Sequence, residues 1–222
     1  MKIIKVILLF VVAQVVINVS GSFSAFAQDP LRYQKSIDKF KPASEVSSEK
    51  LTVFAGSSTF TNWKHIHESF PGKNVLNNGF GGSHFSDLIF FVEEAVIRYN
   101  PSTVIIYGGD NDIATGKSPE EVIADARKLI TTIHAALPNA KLVLVAPKPS
   151  IARFSLKDKY IACNSQLKKL AKEYNYVRYI NMWNDMLGKD GKPKDEYYLK
   201  DQLHFTKKGY EVWAKKLRKY VR

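Results

Sequence analysis

Four short stretches carry residue types that could perform acyl transfer. Gly56-Ser57-Ser58 follows the apolar run 51–55, and Asn77-Asn78-Gly79-Phe80-Gly81-Gly82-Ser83 follows a second apolar run. Gly108-Gly109-Asp110-Asn111-Asp112 follows a third, and Asp201-Gln202-Leu203-His204 stands just before the last helical pattern. Acyl transfer needs a nucleophile, a base within hydrogen-bond reach and a group that orients the base. Ser58 can be the nucleophile and His204 the base. Asp201, three residues away in a turn, can orient His204. The oxyanion that develops needs preset donors, and the backbone N–H groups of Ser58 and Gly82 with the Asn111 amide can supply them. Taken alone, Gly-Ser-Ser reads more readily as a strand-to-helix turn with a serine cap, because glycine-serine turns are common.

These stretches need elements to hold them together. LTVFA (51–55), KNVLN (73–77), STVIIYG (102–108), AKLVLVA (140–146) and YVRYIN (176–181) are short apolar runs rich in Val and Ile, with helical patterns between them. The clearest helix spans 118–137. Ser118-Pro119-Glu120-Glu121 is a capping box with proline at the first helical position, and Val122, Ala126, Leu129, Ile130, Ile133 and Leu137 form one apolar stripe. The last helix is expected after Thr206, anchored by Tyr210, Val212, Trp213 and Leu217. Alternating strands and helices with apolar strands predict an α/β fold, a parallel sheet covered on both faces. Such sheets carry their sites at the carboxyl ends of the strands, which is where the first three stretches fall.

In this order and after these strands, the four blocks resemble the SGNH hydrolases, also called GDSL-like lipases and esterases. That family carries a Gly-Asp-Ser-like block, a glycine loop, Gly-x-Asn-Asp and Asp-x-x-His. FAGSSTFTNW and NNGFGGS are similar to a branch of bacterial lysophospholipase-like and acetylhydrolase-like proteins, here with a Gly-Ser-Ser first block. The resemblance implies a flavodoxin-like three-layer α/β/α sandwich with about five parallel strands. It places the nucleophile on Ser58, the third position of its block, and the acid and base on Asp201 and His204. The oxyanion donors fall on Ser58, Gly82 and Asn111. Ser57 stands where the family usually has Asp, a position outside the triad. The implied activity is a serine esterase acting through an acyl-enzyme, with no metal or organic cofactor. Its substrates would be carboxylic esters of small alcohols, glycans or lysolipids, with short acyl (acetyl) groups favoured by a compact chain that lacks a long lid insertion. An acyltransferase using the same site and a non-catalytic glycan-binding domain are the alternatives.

The chain also divides by composition. Lys2 and Lys5, the apolar run 7–17 and the ending Ala25-Phe26-Ala27 have the layout of a secretory signal peptide. Residues 1–27 are therefore expected to be removed near Ala27/Gln28, and the protein exported to the periplasm or beyond. No later stretch could span a membrane. Residues 28–50 read as an N-terminal arm and 51–222 as the hydrolase domain. The formal charge of +12 would fall to about +10 without Lys2 and Lys5. Export argues against nucleic acid as a partner. A solvated basic helix face near the C-terminus explains the charge best, followed by weak attraction to anionic surfaces. The one cysteine, Cys163, excludes an internal disulfide and sits on a helical apolar stripe.

Other residues fit no chemistry as well. His65, His67, His84 and His134 lack metal-ligand spacing and read as surface or packing residues, although His84 could touch a substrate. Lys117-Ser118 ends like a phosphate-binding loop, but Asn111 occupies its first glycine position. Phe60, Phe80, Phe154, Tyr197 and Tyr198 can line an acyl pocket or equally serve as core.

Overall fold

The computed structural model describes residues 29–222, and the signal-peptide expectation for 1–27 lies outside them. Five strands, β1 (Thr52–Gly56), β2 (Val75–Gly79), β3 (Thr103–Tyr107), β4 (Lys141–Val145) and β5 (Val177–Ile180), form one sheet in the order β2-β1-β3-β4-β5. Every pairing is parallel. The helices are α1 (Gln34–Ile37), α2 (Ser58–Thr61), α3 (Ile66–Ser69), α4 (Phe85–Phe90), α5 (Val92–Ala95), α6 (Asp110–Ala114), α7 (Pro119–Ala136), α8 (Lys157–Lys172) and α9 (Lys207–Leu217). This is the expected α/β architecture with five parallel strands.

Side-chain alternation along the strands builds two cores, one on each face. Val53, Ala55, Val104, Ile106, Leu142 and Leu144 join a cluster with Leu129, Ile133, Cys163 and Leu167 from α7 and α8. Phe54, Ile105, Tyr107, Val143 and Val145 face the other way, against Phe60, Trp63, Trp213 and Leu217. Burying a side chain such as Ile105 or Phe54 contributes about 1.5–3 kcal/mol, so the two clusters fix which face each strand presents. α7 begins as its sequence dictates. Ser118 Oγ accepts from the Glu121 N–H at 3.2 Å, and Glu121 Oε2 accepts from the Ser118 N–H at 2.8 Å.

Register decides where the strands end. Gly56 of β1 stands opposite Gly79 of β2 and Tyr107 of β3, so three loops leave the sheet side by side. The chain passes from β1 outward to β2 and then crosses to β3 on the other flank of β1. That reversal is the crevice where open parallel sheets bind ligands. Gly56 is required there, because a Cβ on it would sit 2.1 Å from the Tyr107 carbonyl oxygen.

Residues 29–50 pack on the domain next to the glycine loop. Arg32 pairs with Asp87 at 2.7 Å, Tyr33 meets the Phe80 ring edge-on at 5.2 Å, and Ile37 is buried.

Candidate active site

The two serines after β1 have different surroundings. Ser57 is buried and caps α2, its carbonyl accepting from the Phe60 and Thr61 N–H groups at 2.9 and 3.2 Å. Ser58 opens α2 and is only half-buried. As the first residue of a helix, its N–H has no intrahelical acceptor, and among the described residues no other backbone carbonyl takes it.

The loop after β2 lies against this turn. A Cβ on Gly81 would contact Ser58 Cβ at 3.6 Å. Gly82 has φ +83°, a left-handed conformation that favours glycine, and a Cβ there would come within 3.2 Å of Tyr33 Oη. Its N–H, like that of Ser58, donates to no backbone carbonyl among the described residues. Asn77, Asn78 and Gly79, expected in the loop, instead form the end of β2. Hydrogen bonding explains the longer strand. Asn77 Nδ2 donates to the Phe60 carbonyl at 2.7 Å, and Asn78 Nδ2 to the Ala95 carbonyl at 2.9 Å.

The third loop supplies Asn111. Its Nδ2 donates to the Ser83 carbonyl at 3.0 Å, joining the second and third loops, while its Oδ1 accepts from Arg153 Nη1 at 3.1 Å. Beside it, the buried Asp110 accepts from Tyr107 Oη at 2.8 Å, from Tyr160 Oη at 3.2 Å and from Arg153 Nη1. Lys148 Nζ lies 3.5 Å from the same carboxylate. Burial opposes the ionisation of Asp110, but Lys148 and Arg153 outweigh it and hold the carboxyl below its ordinary value.

The fourth stretch is a self-contained turn. Asp201 Oδ1 accepts from the N–H groups of Leu203 and His204 at 3.0 and 2.9 Å, and its Oδ2 lies 2.7 Å from His204 Nδ1. Burial alone would raise the Asp201 pKa, but the His204 ring and those two N–H groups hold it at about 2. A carboxylate can only accept, so Nδ1 carries the proton and neutral His204 presents Nε2 as an acceptor. Nε2 is buried and has no hydrogen-bond partner among the described residues. Lys148 Nζ donates to the Leu203 carbonyl at 2.9 Å, which ties this turn to the Asp110–Asn111 loop. Tyr210 Oη donates to the Thr59 carbonyl at 2.9 Å and ties α9 to the serine turn.

All the residues expected from the sequence thus lie at the carboxyl edge of the sheet, joined by a chain of contacts. Ser58 Oγ and His204 Nε2 are not hydrogen-bonded to each other. Such contacts are often long in unliganded enzymes and tighten on substrate binding. A half-buried hydroxyl, two unpaired backbone donors, an amide and an oriented imidazole can together attack a carbonyl and stabilise the resulting oxyanion.

The other residues singled out in the sequence take core, packing or surface places. Phe60, Phe80 and Tyr198 are buried in the cores, so as core aromatics they do not form an open acyl wall. His84 is buried as the cap of α4, with Nε2 3.2 Å from Thr115 Oγ1. His65 pairs with Glu68, and the ring of His134 stacks on Tyr176 at 3.5 Å. Lys117 binds Asp112 at 2.9 Å and Asp125 at 2.6 Å, which accounts for the basic residue before the α7 cap. Among the described residues, no group of three or more His, Cys, Asp or Glu side chains could hold a metal ion. A cleft of about 270 Å³ lies on the α9 side, lined by Trp63, His65, Lys207 and Arg218, and none of the four stretches lines it.

Sequence reasoning missed Lys148, Arg153 and Tyr160. A signal was available for the first: Lys148 stands between two prolines just after buried β4, where an uncompensated charge is costly.

Residues 44–212 match the model of the GDSL-like lipase/acylhydrolase family. The chain belongs to that family, within the SGNH hydrolases, and is a carboxylic ester hydrolase. No curated protein matches it. Among solved structures, a Streptococcus pneumonia protein provisionally designated a platelet activating factor is similar at 19% identity and a TM-score of 0.74, over 87% of this chain and 91% of that one. A GDSL-like lipase from Bacteroides thetaiotaomicron VPI-5482 is similar at 22% identity and a TM-score of 0.65, over 86% of this chain and 96% of that one. A catalytic mutant of an acetylxylan esterase from Geobacillus stearothermophilus is similar at 18% identity and a TM-score of 0.61, over 80% of this chain and 98% of that one. At these identities the likeness is one of fold.

Proposed function

We propose that this esterase works through Ser58, His204 and Asp201. Ser58 Oγ attacks the ester carbonyl as His204 Nε2 takes its proton, and Asp201 fixes the ring and stabilises the imidazolium. The N–H groups of Ser58 and Gly82 and the Asn111 amide receive the oxyanion. The protonated His204 gives its proton to the departing alcohol. A water activated by the same nitrogen then releases the acid from the acyl-enzyme. The observation that carries this reading is the buried, unpartnered Nε2 of an imidazole whose other nitrogen is held by Asp201. Buried polar atoms without partners are uncommon and call for an explanation; a base awaiting the serine proton is one.

The proposed substrate is a short-acyl ester such as an acetylated glycan. The compact chain, with no long insertion to form an apolar lid, favours it, and an acetylxylan esterase shares the fold. The proposed site of action is outside the cytoplasm, on the strength of the leader pattern in residues 1–27.

A fluorophosphonate probe tests the nucleophile. It is expected to label wild type and Ser57→Ala but not Ser58→Ala, and the opposite pattern rejects the assignment. A panel of esters from acetyl to dodecanoyl, below their aggregation limits, tests the acyl preference. Faster cleavage of the long esters would overturn it.

A further inference from the structure

The Asn111 amide is gripped at both ends, and one grip comes from outside the four motifs. Nδ2 carries two hydrogens, of which the Ser83 carbonyl takes one, leaving the other for a substrate oxygen. Oδ1 accepts from Arg153 Nη1. A side-chain amide is nearly symmetric in shape, so a half-turn exchanges its oxygen and nitrogen. A flipped Asn111 would aim a carbonyl at a developing negative charge. A guanidinium has only donors, so the flipped amide would meet Arg153 N–H against N–H. The cation on Oδ1 also draws electron density from the amide and strengthens its remaining N–H as a donor.

Arg153 is itself fixed. Nη1 also donates to Asp110, which the Tyr107 and Tyr160 hydroxyls hold from the core. Nη2 and Nε have no hydrogen-bond partner among the described residues, and the side chain is 22% exposed. The guanidinium therefore sits at the boundary between the buried Asp110 cluster and the open site. Arg153 lies on the loop after β4, one residue beyond Ala152, whose N–H donates to the Gln202 carbonyl of the acid–base turn at 3.1 Å.

We propose that Arg153 is the positioning residue of the oxyanion hole. It holds the Asn111 amide in the orientation that presents an N–H to the substrate, and it polarises that N–H. The inference rests on the proposed roles of Ser58 and Asn111. It predicts that Arg153 acts on turnover through Asn111 and not through substrate affinity.

A double-mutant cycle tests it. Kcat and KM for a soluble acetyl ester, with the urea midpoint, are measured for wild type, Asn111→Ala, Arg153→Met, Arg153→Lys and Asn111→Ala/Arg153→Met. Arg153→Met is expected to lower kcat by about 10–100-fold, below the loss from deleting a donor outright, with KM within about threefold. In the Asn111→Ala background the same change is expected to cost less than about threefold. Arg153→Lys retains the charge beside Asp110 but not the planar fork, and its kcat is expected to fall between wild type and Arg153→Met. Losses that multiply in the double variant, or a loss carried by KM, overturn the proposal. If Arg153→Met is too unstable to assay, Arg153→Lys takes its place in the cycle under the same criteria. Activity retained by Ser58→Ala would instead reject the underlying reading of the site. An inactive Ser58→Ala with multiplying Asn111 and Arg153 losses rejects only the role of Arg153.

Discussion

The two halves of the proposed site are built differently. On the oxyanion side, Ser57, Asp110 and Asn111 are 2%, 5% and 9% exposed, and strand register and a buried charge cluster hold them. In the acid–base turn, the Asp201 and His204 side chains are 48% and 22% exposed, and most of their bonds run within three residues. The first half is a product of the whole fold. The second is a local device set against it by Lys148 and Ala152. Changes in the first half should therefore cost both activity and stability, and changes in the second mainly activity.

Ser58→Ala sets the upper limit of the effect. Its turnover should fall by a factor on the order of 10⁶ with little change in Tm, because Ser58, unlike its buried neighbour Ser57, is only half-buried. Turnover within tenfold of wild type would break the comparison at its centre. Asp201→Asn comes next. It removes the orienting acceptor and the charge that stabilises the imidazolium, so kcat should fall by about 10²–10⁴ while Tm barely moves. A large fall in Tm would mean that the turn is part of the global framework after all.

Asn111→Ala should lower kcat by about 10²–10³. Unlike Asp201→Asn, it should also lower stability by about 1–3 kcal/mol, because the Ser83 carbonyl and Arg153 each lose a buried partner. Denaturant midpoints of the two variants, measured side by side, sharpen the distinction. Equal stabilities would erase it.

The same division governs what the sequence makes legible. Strands β1, β3 and β4 appear in their apolar runs because each is buried on both faces, β5 appears through Val177 and Ile180 although it exposes Arg178 at the sheet edge, and α7 appears because its cap and stripe are local. The Asp201–His204 turn can be expected because its geometry depends on three residues of spacing. The Lys148–Asp110–Arg153 cluster has no such trace. Its members stand 38 and 5 residues apart along the chain (110, 148 and 153), and only the β3–β4 pairing brings them together. Phe60 and Phe80 fail as pocket aromatics for a related reason. Proximity to the motifs in sequence says nothing about which layer a ring enters, and packing with Trp63 and Trp213, or with Tyr33 and Phe91, decides it.

The smallest expected effect concerns acid. Asp201 has a folded pKa of about 2 against an ordinary 3.8. A carboxyl with a depressed pKa contributes stability that is fully present above its unfolded value and disappears as pH falls through its folded value. The window for Asp201 therefore runs from about 4 down to about 2. Its side chain is nearly half exposed, so solvent screening keeps the contribution within about 0–1 kcal/mol, the scale of a surface ion pair. Urea midpoints of wild type and Asp201→Asn, compared from pH 6 to pH 2, should differ slightly at the top and converge at the bottom. The activity difference between the two proteins should not follow that curve at all, because Asp201 remains ionised throughout any neutral assay. A stability gap that widens as pH falls would give Asp201 the opposite linkage and would show that its bonds to His204 do not favour the ionised carboxylate.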